Sequence, residues 1–266
     1  MLRFRSAGRS DVGPVRDGNE DAGFAGPYLQ VVADGVGGEA AGEVASATAA
    51  YVTCALTMAP YTDLLSVLAE AVALSHEQLA LGSDLAPARA GMATTLTALL
   101  TDGSQVALAH VGDSRAYRLR DGALVQLSRD HTFVQTLVDG GVITPSEART
   151  HPRRNVVLQA VDGVRPAHPD LTIVDVRPGD RVLVCSDGLT DVVEDDAIRS
   201  CLADDPLIAA GRLVDAALAA GARDNVTCLV ADVVDGPRVQ PDGTHLGAFR
   251  DPYLVVDPAA VHQPHG

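Results

Sequence analysis

The stretch Tyr28-Leu-Gln-Val-Val-Ala-Asp34-Gly-Val-Gly-Gly38 decides how the chain reads. Residues 28–33 are apolar and partly β-branched, which predicts a strand entering a core. Gly35, Gly37 and Gly38 then end that strand and let the backbone turn tightly. A carboxylate at such a junction is held by rigid backbone yet faces the open end of a sheet. Beside it Gly35, lacking a side chain, lets its carbonyl approach the same ligand. Hard cations such as Mg²⁺ and Mn²⁺ take that kind of oxygen set. Asp-Gly is equally a common turn dipeptide, so the motif alone supports either reading.

The device recurs. Arg181–Cys185 reads as a strand running into Ser186-Asp187-Gly188-Leu189, and Asp224-Asn225 leads into a last strand over Val226–Val234. If these strands belong to two packed sheets, their ends converge on one rim of a sandwich. Three carboxylates meeting there would repel one another, and two divalent ions would remove the conflict. Two such ions roughly 4 Å apart, bridged by a carboxylate and a water, acidify that water for attack on phosphorus. Upstream, Ser10-Asp-Val-Gly-Pro-Val-Arg16-Asp-Gly-Asn-Glu20-Asp21 is polar and turn-rich. Arg16 offers a planar donor fork for phosphoryl oxygens, and Glu20 with Asp21 can hold water or metal; the plainer reading is a local ion pair. No cysteine has the Cys-x5-Arg spacing of a thiol phosphatase.

Composition bounds these readings. The 266 residues are 47% hydrophobic, enough for a sizeable core, but only 3% aromatic with no Trp, so Val, Leu, Ala and Ile must fill it. A formal net charge of −15 argues against nucleic acid or an anionic membrane as partner. No apolar run is expected to reach the ~18–20 residues that span a bilayer. The start Met-Leu-Arg-Phe-Arg-Ser does not resemble a signal peptide. Cys54, Cys185, Cys201 and Cys228 are scattered, as reduced thiols of a cytoplasmic protein would be.

Around the acidic motifs, helices are predicted from Glu39 to about Met58 and from Asp63 to about Leu81. Strands follow at 93–101, 105–111, 115–119 and 124–127, joined by hairpin-length turns, with Asp113 at one of them. Residues 130–155 form a surface flap, with helical character over His131–Gly140 and a helix start at Thr144-Pro-Ser-Glu147. A strand at 171–176 and helices near 194–202 and 206–220 complete the pattern. Residues 236–266 carry five prolines and no useful period, and read as a tail.

Six short motifs now stand in order: Arg16-x-x-Asn19-Glu20-Asp21, Asp34-Gly-Val-Gly-Gly38, Gly91-Met-Ala-Thr-Thr95, Val111-Gly-Asp-Ser-Arg115, Ser186-Asp-Gly-Leu189 and Asp224-Asn225. Over about residues 6–234 the chain resembles the metal-dependent protein phosphatases of the 2C type, and its flap with His151-Pro and Asn155 is similar to that of the bacterial branch. The resemblance implies an α+β fold, a four-layer α-β-β-α sandwich of two mostly antiparallel sheets, with a catalytic domain at 1–235. It implies a Ser/Thr phosphatase opposing protein kinases, acting through a metal-activated bridging water on phosphorylated proteins, a kinase among them. It further implies two Mn²⁺ or Mg²⁺ ions at the core site and a third nearby. By position Asp34 bridges both core metals, Gly35 offers its carbonyl, and Asp187 and Asp224 bind the other ion. Glu20 and Asp21 lie near the metals, Arg16 binds phosphate, Asp113 with Asp187 forms the third site, and Asn155 is a further ligand there. A monomer is expected. Val36 departs from animal members, which carry a His proposed as general acid. Rival readings are a relative acting on an anti-anti-sigma factor, a catalytically silent binding module and a small-molecule phosphatase.

Overall fold

Successive residues of the central strands are buried on opposite sides, as strands covered on both faces require. The computed structural model describes residues 1–36 and 41–256. Its strands and helices are β1 (Leu2–Asp11), β2 (Asp21–Ala25), β3 (Leu29–Val36), α1 (Gly42–Met58), α2 (Leu64–Leu85), β4 (Ala93–Thr94), β5 (Leu96–Thr101) and β6 (Val106–Val111). They continue with β7 (Arg115–Arg120), β8 (Ala123–Gln126), α3 (Phe133–Asp139), α4 (Pro145–Thr150), β9 (Asp170–Val174), β10 (Arg181–Cys185), α5 (Asp187–Thr190), α6 (Asp195–Cys201), α7 (Pro206–Ala219), β11 (Val226–Asp235) and β12 (Thr244–Gly247). One sheet runs β12-β2-β3-β5-β6-β9 with β4 added on β3, the other β1-β11-β10-β7-β8.

Side-chain parity explains the four layers. On β3, Val31 and Ala33 join the cluster under α1 and α2, while Val32 joins the layer between the sheets. On β11, Cys228 and Val230 pack under α6 and α7, while Leu229, Ala231 and Val233 face the other sheet. The expected α-β-β-α sandwich is therefore present, built from small and branched aliphatics.

Helix α2, at 22 residues, is long and apolar enough to cross a bilayer, contrary to the expectation that no run would be. Leu64, Val67, Leu68, Val72 and Leu79 are nevertheless buried in the cluster beneath the sheet, so its apolarity is that of a core helix. The turn at Gly37-Gly38 and the helix start at Glu39 lie outside the described residues.

The tail reading is corrected over residues 244–256. β12 pairs with β2, Gly247 opposite Ala22, and the following turns bury Phe249 and Val256 in the α1–α2 cluster. Val256 N donates to Thr48 Oγ1 at 3.0 Å. A four-residue strand with one buried aliphatic, Leu246, has no period to read; its partner lies over 200 residues upstream. Residues 257–266 lie outside the described residues. Phe249→Ala should cost about 3 kcal/mol of unfolding free energy, the usual size for a truncated buried aromatic. Urea denaturation checks this, and a loss below about 1 kcal/mol would mean the segment is only loosely held.

Candidate metal and phosphate site

The chain turns that join or end β1, β3, β6, β10 and β11 lie at one rim of the sandwich, and the acidic motifs occupy them. Asp34 is on β3 with the parity of Val32, so it points between the sheets. Asp21 on β2 is its direct cross-strand partner. Two like charges in that position oppose strand pairing, which is tolerable only where something offsets them. From the other sheet, Ser186 Oγ donates to Asp21 Oδ2 at 2.7 Å and accepts from Thr227 N at 3.0 Å. The second oxygen, Asp21 Oδ1, is buried with no hydrogen-bond partner.

Backbone contacts hold Asp34 independently of its carboxylate. Its N–H donates to Thr95 Oγ1 at 3.0 Å, and its carbonyl accepts from Thr94 Oγ1 at 3.0 Å and Thr95 N at 2.9 Å. Gly35 N donates to Glu20 O at 3.1 Å, and a Cβ on Gly35 would lie 2.3 Å from Gly42 O and 2.7 Å from Glu20 O. The glycine is thus required by close packing of three backbone segments. Asn225 fastens the Arg16 loop: its Oδ1 accepts from Glu20 N at 2.8 Å, and its Nδ2 donates to Val12 O and Gly18 O at 2.8 and 2.9 Å.

Arg16 is exposed at the edge of the group. Its guanidinium donates to Asp224 Oδ2 at 2.7 Å and lies 3.8 Å from Glu20 Oε2. Asp187 opens α5 instead of ending in a plain turn. Gly188 follows because a Cβ there would meet Asn225 O at 2.0 Å. Asp113 sits in the turn that carries the chain from β6 in one sheet to β7 in the other. Its neighbour Arg115 forks onto Asp130 at 2.6–3.0 Å.

The electrostatics follow from this crowding. Burial, then the neighbouring Asp21, Asp187 and Asp113, hold the Asp34 carboxyl well above the usual range. Asp187 is raised in the same way, by burial and then by Asp113 and Asp191. Burial pushes Asp21 up to about 6 despite the Ser186 hydroxyl, and burial followed by Asp130 and Asp191 pushes Asp113 up to about 7. Glu20 is raised by burial against the pull of Arg16. Among the described residues no three His, Cys, Asp or Glu side chains close on a single point. The orphaned, buried Asp21 Oδ1 amid repelling carboxyls fits a divalent cation.

Asn155 is not brought to this group: it is exposed on the flap and lies outside the cleft, of about 680 Å³, that adjoins Asp113 and Asp187. Asp191 lies there instead, one helical turn after Asp187, with its backbone N–H donating to the Asp187 carbonyl at 2.8 Å. That i, i+4 spacing was the available signal for Asp191. Ser186 and Asn225 sit inside the quoted motifs, but their roles as supports appear only when the sheets are packed.

An α-β-β-α sandwich with carboxylates from both sheets gathered at one rim defines a class of divalent-cation-binding architecture. The chain belongs to the protein phosphatase 2C family, whose model matches residues 18–220. It is 49% identical over 240 residues to the serine/threonine protein phosphatase PstP of Mycobacterium tuberculosis, covering 88% of this chain and 46% of that protein. The chain thus spans about half the length of that relative. It is 33% identical over 238 residues to the serine/threonine phosphatase stp of Listeria monocytogenes, covering 84% of this chain and 94% of that one. The crystal structure of the PstP catalytic domain in complex with two manganese ions superposes with a TM-score of 0.82 at 46% identity, covering 88% of this chain and all of that one.

Proposed function

We propose that the chain is a metal-dependent phosphatase that hydrolyses phosphoserine and phosphothreonine on proteins, opposing bacterial Ser/Thr protein kinases. The observation that carries this reading is that Asp21 and Asp34 stand directly opposite on one sheet, that Ser186 of the other sheet donates to Asp21, and that its neighbour Asp187 lines an open cleft of about 680 Å³. Asp34, the Gly35 carbonyl, Asp187 and Asp224 would hold two Mn²⁺ or Mg²⁺ ions, with Glu20 and Asp21 acting through water. Bound there, the ions would supply an acidified water as nucleophile and offset the charge of the phosphoryl group. Asp113 and Asp191, with Asp187, would hold a third ion.

Arg16 moves in this scheme from Asp224, its partner here, to the phosphoryl oxygens once Asp224 is engaged by a cation. Its planar fork matches two such oxygens at once. Four free cysteines, three of them buried, suit a reducing compartment, and we place the protein in the cytoplasm as a monomer.

The test is phosphate release from a phosphothreonine peptide by chelator-stripped protein with Mn²⁺ or Mg²⁺ added back. Metal-dependent release is expected, and Arg16→Ala should lower kcat/KM by roughly 10–100-fold through lost phosphate binding and charge stabilisation. Folded protein that releases nothing with either metal would remove the phosphatase reading.

A further inference from the structure

We propose that Arg149 is a positioning residue that clamps the flap to α5 and so sets the width of the peptide cleft; the inference rests on the phosphatase reading. The two ends of the flap pair with each other, Phe133 N donating to Val156 O at 2.9 Å and Leu158 N to His131 O at 2.7 Å, and the flap meets the body where His131 N donates to Gly112 O at 2.7 Å. Its outer part, α4, is tied to the far side of the cleft by one side chain. Arg149 Nη2 donates to Thr190 O at 3.2 Å and Val193 O at 3.4 Å, while Nε pairs with Glu194 Oε1 at 2.9 Å. Among the described residues no other recorded hydrogen bond or ion pair joins α4 to the α5–α6 region.

The anchor point matters as much as the bond. Helix α5 has only four residues and begins with Asp187. A helix end leaves carbonyls without intrahelical partners, and a cation there both satisfies them and complements the helix dipole. Arg149 does this for Thr190 and for Val193 just beyond. Pro145, Ser146 and Ala148 of the flap line one cleft together with Thr190, Asp191, Asp195, Asp113 and Asp187, and Arg149 is the side chain that links the flap to the α5–α6 side of it. The fork reaches two carbonyls and a carboxylate together, which the single point charge of lysine cannot.

A peptide extending on both sides of its phosphoresidue needs both walls of this cleft, whereas a small aryl phosphate needs only the acidic group. The two substrates separate the roles. In wild-type protein, Arg149→Ala, Arg149→Lys and Glu194→Gln, steady-state kinetics with Mn²⁺ are measured on a phosphothreonine peptide and on p-nitrophenyl phosphate. Arg149→Ala should raise the peptide KM roughly five- to thirty-fold, the effect of losing charged hydrogen bonds, with kcat and aryl phosphate kinetics within about two-fold of wild type. Arg149→Lys and Glu194→Gln should give smaller rises of the same kind. An unchanged peptide KM overturns the proposal. So does an equal loss of kcat on both substrates, which would make Arg149 a prop for the Asp187 helix and not for the cleft. Wild-type protein that acts on neither substrate overturns the phosphatase reading and the cleft assignment with it.

Discussion

Asp34→Asn is expected to lower metal-dependent turnover by roughly 10²–10³-fold or more, as loss of the group holding the catalytic cations requires. The same substitution is expected to raise the melting temperature of chelator-treated protein. The two signs have one cause. Asp34 faces Asp21 directly across the strand pair and is further repelled by Asp187, Asp113 and Asp224, so its charge opposes folding whenever no cation offsets it. The amide keeps the shape and removes the charge. Its backbone stays in place because Thr94, Thr95 and Glu20 hold residues 34 and 35 through main-chain groups. Residues that serve an activity at the expense of stability show this opposition, whereas a structural carboxylate loses both together. Calorimetry or a dye-based melt with chelator, run beside the peptide assay, decides between them. Retained turnover would take Asp34 out of the site; a lower melting temperature would make it a structural residue.

Much of this site is legible in one dimension because its rigid parts are local. Asp34-Gly35 and Asp187-Gly188 each encode strand end, close approach and carboxylate in two adjacent residues, and the packing of Gly35 on Gly42 and of Gly188 on Asn225 supplies the reason. The sandwich is legible for a related reason. Strands such as Val226–Val234 are apolar at nearly every position, and only a strand covered on both faces can bury them. What escapes is held by contacts distant in sequence. The Ser186 hydroxyl reaches Asp21 across 165 positions, and β12 reaches β2 across more than 200. Nothing near His245 or Phe249 announces a partner. Asn155 is a different case: the resemblance puts it near the third site, while in the structure it is exposed on the flap. Arg149 belongs with Ser186, since its three contacts lie 41 to 45 residues away.

Between pH 6.5 and 8, chelator-treated protein should lose stability as pH rises, and Mn²⁺ should reverse that slope. Asp113 is pushed up to about 7, and Asp34 and Asp187 are raised well above the usual range, against about 3.9 in an unfolded chain. Between the unfolded and folded values the native state binds more protons than the unfolded state, so raising the pH favours unfolding. Below about 4 both states are protonated and these groups contribute no slope.

Other groups define the window. Asp175 and Asp180 are lowered by their arginine partners, so the stability they contribute is lost only as pH falls through the acid range and is constant above 6.5. Buried His110, lowered to about 4, works the other way. Its unfolded form takes up a proton below about 6.5, so it adds stability as pH rises to that point and nothing beyond. Above pH 6.5 the acidic rim therefore dominates, with a total effect on the order of a few kcal/mol. A cation that binds only the folded state adds about 2.7 kcal/mol at a hundred times its dissociation constant, and it binds more tightly as protons leave its ligands. The melting temperatures with Mn²⁺ and with chelator should accordingly diverge from pH 6.5 to 8. Parallel curves would mean that protons and cations do not compete for the same carboxylates, and the group at the rim would then not be a metal site.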